Sequence, residues 1–152
     1  MQDSEPSLVL GGLSVWILGR PYLNSPMLFD HDVLEVRAEC RAPGATVAAT
    51  GPFLRTYDID HLLLGMQAMH RWDIHTVEMK PLEPNLSLIL SRSATGALRV
   101  QVDITSDHMT QNHHFFFYAD LTYLPGPIKQ CEDVLIAFPV LGGRSYPVEI
   151  SN

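Results

Sequence analysis

From residue 33 to residue 40 the chain alternates without a break. Leu34, Val36, Ala38 and Cys40 fall on one side of an extended backbone, and Glu35, Arg37 and Glu39 on the other. A two-residue period belongs to a strand with one buried and one wet face, so this stretch commits the fold to an antiparallel sheet lying on a core. The same period returns at Leu86, Leu88 and Leu90 and again at Leu98, Val100, Val102 and Ile104, with Ser93-Ala94-Thr95-Gly96 between them as a turn. A slip of one residue would turn either apolar row into water, which fixes the register of this predicted hairpin. Ala42-Pro43-Gly44-Ala45 reverses the first strand, Pro presetting φ and Gly tolerating a positive value. Residues 46–50 are then expected to return antiparallel until Gly51-Pro52 stops them. Residues 8–18, residues 74–79 and the Phe- and Tyr-rich stretch 113–120 are predicted as further strands.

Two segments change period. Ile59, Leu62, Leu63, Met66 and Met69 recur at helical spacing, with Thr56 or Asp58 placed to cap the first free amides and Asp60 in the first turn. Gly65 weakens this helix by about 1 kcal/mol relative to Ala. Ile128, Cys131, Leu135 and Phe138 make a second stripe, opened by Pro125-Gly126-Pro127 and closed before Pro139. Two helices are too few to serve as crossovers for a parallel sheet. The predicted fold is therefore α+β, a curled antiparallel sheet of about six to eight strands with both helices packed on it. No internal repeat, Gly/Ser linker or charge run divides the chain, and 152 residues suit one core, so residues 1–152 are read as a single domain.

Charge narrows the function. Seventeen acids against ten bases give a net charge of −7, and the bases are scattered along the sequence. A phosphate backbone would be repelled by such a chain and a basic protein attracted, so the expected partner is a basic protein and not nucleic acid. No stretch reaches the ~18 apolar residues of a membrane-spanning helix, and acids occupy the N-terminal positions where a secretory signal carries Lys or Arg. No membrane association is expected, and a cytoplasmic location is. Cys40 and Cys131 are too few for a disulfide framework and read as small buried apolar residues.

No catalytic constellation assembles. There is no Gly-x-Ser-x-Gly elbow, no Gly-rich phosphate loop and no His-Glu-x-x-His helix. His113 and His114 are adjacent on a predicted strand and point to opposite faces, so at most one can join His108 and Asp107 in a site. His61 and His70, nine positions apart on a helix, lie about 180° from each other. The expectation is no enzyme, no metal and no cofactor. Asp30, Asp32, Asp58, Asp60 and Asp73 sit in predicted loops and helix starts that would present them outward to a partner. Glu83 joins them, because Pro84 holds it extended at the start of a strand and so fixes the direction of its carboxylate, toward a partner's Arg, an internal one such as Arg55, or a neighbouring backbone amide.

Three segments together carry a resemblance: Leu54-Arg55-Thr56-Tyr57-Asp58-Ile59 leading into a helix, Leu82-Glu83-Pro84-Asn85-Leu86 opening a hairpin, and a late helix running into Phe138-Pro139. In this order and spacing they resemble the immunity proteins typified by the WapI family, over roughly residues 8–140. The resemblance implies a small bacterial cytoplasmic protein that binds and neutralises a toxin domain, commonly a nuclease, and it carries over no catalytic residue. A basic nuclease domain and an acidic inhibitor would attract each other. Two other readings compete. A small-ligand or metal-binding protein would use the His- and aromatic-rich stretch 108–123 as a pocket wall. A structural or oligomerisation module would pair through an open sheet edge. The sequence sets no oligomeric state.

Overall fold

The computed structural model describes residues 4–142. In chain order these form β1 (Leu8–Leu10), β2 (Leu13–Gly19), a four-residue helix α1 (Leu28–His31), β3 (Val33–Ala42), β4 (Ala45–Arg55), α2 (Thr56–His70), β5 (Thr76–Met79), β6 (Leu86–Arg92), β7 (Ala97–Ile104), β8 (His114–Asp120) and α3 (Pro125–Ala137). The α+β class, the antiparallel pairing and the eight strands agree with the sequence pattern. The strands form two four-stranded sheets, ordered β1-β2-β3-β4 and β5-β6-β7-β8, and neither closes on itself. The division falls at α2, whose fifteen residues span about 22 Å and carry the chain away from β4 before β5 begins.

One cluster of buried side chains runs through both sheets and the two longer helices. It takes Leu34, Val36, Ala38 and Cys40 from β3 and Leu86, Leu88 and Leu90 from β6. The helices add Ile59, Leu62, Met66 and Met69 from α2, and Cys131 and Val134 from α3. The alternating rows therefore bury the faces that their period requires.

Two readings of the sequence need correction. Residues 8–18 are not one strand. Gly11 takes φ +59° and turns the chain between β1 and β2, and a Cβ at Gly11 or Gly12 would lie 2.6 Å from the Phe117 ring, so the reversal there needs glycine twice over. Nor does Gly51-Pro52 stop β4, which continues to Arg55. Val36 pairs with Gly51 and Leu34 with Leu54, so Pro52 and Phe53 together oppose Glu35 in a bulge. A bulge leaves a residue without a ladder partner, and this is how the strand accommodates a proline that cannot donate.

Helix α2 begins slightly earlier than its apolar stripe suggests. Arg55 is its N-cap, Thr56 its first helical residue, and Asp58 at the third position accepts the Arg55 amide at 2.8 Å. At its other end Trp72 adopts φ 67° and closes a Schellman-type stop, its amide donating to Met69 and that of Asp73 to Ala68. Gln130 of α3 accepts the Val9 amide, and Tyr123, just before α3, accepts that of Gly11 with its hydroxyl. Side chains thus occupy the outer edge of β1.

Gly65 lets α2 lie directly on β5, since a Cβ there would sit 2.5 Å from Cγ1 of Val77. Gly65→Ala gains about 1 kcal/mol of helix propensity but overpacks this contact at a cost of about 1–3 kcal/mol. We expect the variant to unfold at lower urea concentration than the wild type. A clear rise in its midpoint would contradict this view of the helix–sheet contact.

Candidate functional site

The β4 bulge, the segment after β2 and the approach to β6 enclose a cleft of about 320 Å3. The bulge contributes Gly51, Pro52 and Phe53, with Arg55 just beyond. Tyr22 and Asp30 come from the segment around α1, and Glu83 and Asn85 from the loop that opens β6. Arg55 and Glu83 stand in different short motifs of the sequence, separated by a helix and a strand, and the fold brings them to one opening.

The walls are held by polar contacts. The Arg55 guanidinium lies over the Phe29 ring at 4.5 Å, and its Nε is buried without a hydrogen-bond partner. Asp30 accepts the Ser25 hydroxyl at 2.6 Å, and a His31 ring nitrogen meets the Ser25 carbonyl oxygen at 2.7 Å, so the segment before α1 is pinned to it. The Asn85 side-chain amide donates to the Thr105 carbonyl at 3.1 Å and ties the other wall to the end of β7.

Beside Val33, which lines the cleft, Asp32 gathers donors from three parts of the chain. Its carboxylate accepts the Leu141 and Gly142 amides at 2.7 and 2.8 Å and the Thr56 hydroxyl at 2.9 Å, and the Arg20 guanidinium lies 3.5 Å away. Arg20 also donates to the carbonyls of His31 and Pro139. The sequence reading placed Asp32, Asp58 and Asp60 outward. They are instead 5%, 8% and 8% exposed. Amides at a helix start and in the chain after α3 need acceptors wherever water is excluded, and Asp58 and Asp32 supply them. Asp60 is covered on α2 beside Ile59. Of the remaining acids, Asp30 and Glu83 line the cleft. Asp73 lies elsewhere, exposed after α2 and 3.1 Å from Arg71.

Sequence reasoning did not single out Tyr22, Arg20 or Phe29. The segment from 20 to 29 has no period, and an aromatic there carries no signal of its own. Arg55 was visible only as a member of a motif and as a possible partner of Glu83.

The His-rich stretch takes a different form. His114 on β8 bonds through Nδ1 to Asp103, its opposite number on β7, and His113 meets Gln111 at 3.2 Å. Phe115 is buried and stacks with Phe117 at 6.4 Å between centroids. Phe116 stands exposed under the Arg99 guanidinium at 5.2 Å. His114, Phe116 and Tyr118 are thus open to solvent and do not form the enclosed wall that a pocket in 108–123 would need. Among the described residues no three His, Cys, Asp or Glu side chains converge as metal ligands, and no helix is long and apolar enough to cross a membrane. Burial pushes the thiols of Cys40 and Cys131 up to about 12, far from the reactive thiolate range.

These features define a class, an α+β protein of two open sheets with a charged, aromatic-sided cleft at the strand bulge. The family model described as the immunity protein WapI-like family matches residues 9–139, and the chain belongs to that family. No curated protein and no solved structure gives a significant match.

Burial raises the Asp58 carboxyl from 3.8 to about 6, against the opposing pull of the Arg55 amide and charge and of His61. A raised folded-state value means that the native protein holds a proton the unfolded chain has released, so this group's contribution to stability falls as pH rises from about 4 to about 6 and is level above. Asn at position 58 can still accept the Arg55 amide but cannot ionise. The stability of the wild type relative to Asp58→Asn should therefore drop by up to about 3 kcal/mol between pH 4 and pH 7, as measured by urea unfolding. A difference independent of pH would contradict the burial of a titrating carboxylate at this position.

Proposed function

We propose that this chain is a non-catalytic cytoplasmic immunity protein, acting as a single domain, that binds a basic, nuclease-type toxin domain and blocks it by occlusion. The observation that carries the reading is the family match over residues 9–139. The net charge of −7 supports a basic partner, since opposite fields speed the encounter of two proteins and lose that effect as salt rises. Asp30, Asp73 and Glu83 are the proposed contact acids. Asp32 and Asp58 act beneath the surface, holding the frame on which the contact acids stand, and Asp60 is buried on α2. The reading requires no cofactor, metal or nucleic acid.

Co-expression with the toxin domain encoded beside its gene should restore growth to cells that the toxin alone kills. The purified pair should form a complex whose association rate falls at least tenfold between 50 mM and 500 mM NaCl. Continued killing together with no detectable complex would overturn the proposal.

A further inference from the structure

Large apolar side chains are exposed at several places on this protein, and six of them belong to segments that border the cleft. Tyr22, Leu23, Met27, Leu28, Leu82 and Leu141, each between 44% and 66% exposed, come from three separate parts of the chain. Backbone contacts bring these three parts to one end of the molecule. Tyr22 lines the cleft that Glu83, next to Leu82, also lines, and Leu141 donates its amide to Asp32 at the end of α1, where a Cβ on Gly142 would lie 3.4 Å from the Leu28 carbonyl oxygen. Large exposed apolar side chains gathered in one place mark contact surfaces.

The segment that carries most of them is tied down by hydrogen bonds. The Ser25 amide donates to the Tyr22 carbonyl at 3.1 Å, Ser25 is bonded to both Asp30 and His31, and Arg20 fixes the start of the segment through Asp32 and the His31 carbonyl. A surface held in this way surrenders little conformational freedom when a partner covers it.

The cleft beside this apolar collar is charged. Asp30 and Glu83 face the cleft with Arg55, two carboxylates against one guanidinium, and the guanidinium is laid on the Phe29 ring with its Nε shut from solvent. We infer that the cleft receives a cationic side chain, Arg or Lys, from the toxin domain, with Glu83 and Asp30 as its anions and the collar sealing the contact from water. This inference rests on the proposed function and names its contact face. A ring of apolar contacts that excludes water strengthens a charge pair at its centre, the arrangement found around the dominant residues of protein interfaces.

Two experiments separate the inference from the function beneath it. Without any toxin, N-acetylarginine amide titrated into the protein should shift backbone NMR signals of residues 22, 30, 50–55 and 83–85 saturably in the millimolar range, and Glu83→Gln should weaken these shifts at least threefold. N-acetylglutamate amide, the anionic control, should leave them in place. Stronger shifts with the anion, or concentration-dependent dimers in light scattering that bury the collar, would overturn the inference. With the toxin domain that wild type binds, Glu83→Lys and Tyr22→Ala should each weaken the complex tenfold or more, while Glu132→Lys, a matched charge change on α3, should not. Wild-type affinity in both cleft variants would sink the inference and leave the function standing. Absence of binding by wild type would sink the function, and the arginine titration would still decide what the cleft accepts.

Discussion

One buried carboxylate organises the end of the molecule where the cleft lies. Asp32 stands between α1 and β3 and accepts from the hydroxyl of the first residue of α2 and from two amides in the chain after α3, with Arg20 beside it. Each of these donors would be costly to bury alone, and an isolated carboxylate costlier still, so the group is stable only as a complete set. Its completeness fixes where the segment after β2 meets the start of α2. That junction places Tyr22, Asp30 and Arg55 along one opening.

The second wall follows from the strand bulge. Pro52 cannot donate to the ladder, and the extra residue opposite Glu35 changes the course of β4 just before Arg55. Arg55 then serves twice, its backbone amide capped by Asp58 and its guanidinium laid on Phe29 at the cleft. The helix start and the cleft wall are therefore one structure. This gives a physical reason for Arg and Asp to stand three residues apart in the motif that opens α2, independent of any partner.

Much of the fold was legible in the sequence because burial on one face leaves a period. The rows from Leu34 to Cys40 and from Leu98 to Ile104 declared their strands, and the stripe from Ile59 to Met69 declared its helix. The reading failed where local chemistry and context disagreed. Gly11 looks like a weak spot in a strand until Phe117, more than a hundred residues away, is seen to occupy the space that a Cβ would need. Pro52 looks like a terminator until a bulge admits it. The acids were harder. Asp30 and Asp32 are two residues apart in similar company, yet one lines the cleft and the other is enclosed, and the arrival of Arg20, Thr56, Leu141 and Gly142 makes the difference. Nothing within a few residues of Asp32 encodes that arrival, so the sequence could name the residue type of the site without separating the contact acids from the structural ones.

The cleft at the β4 bulge, and not the open face of β7 and β8 or the outer side of α3, is the face proposed to meet the partner. Amide hydrogen exchange on the protein, free and bound to the toxin domain, tests it most directly. Slowed exchange concentrated in residues 20–31, 50–55 and 82–85 is the predicted result. Protection centred on residues 97–120 or 125–137, with those three segments unchanged, would contradict the account.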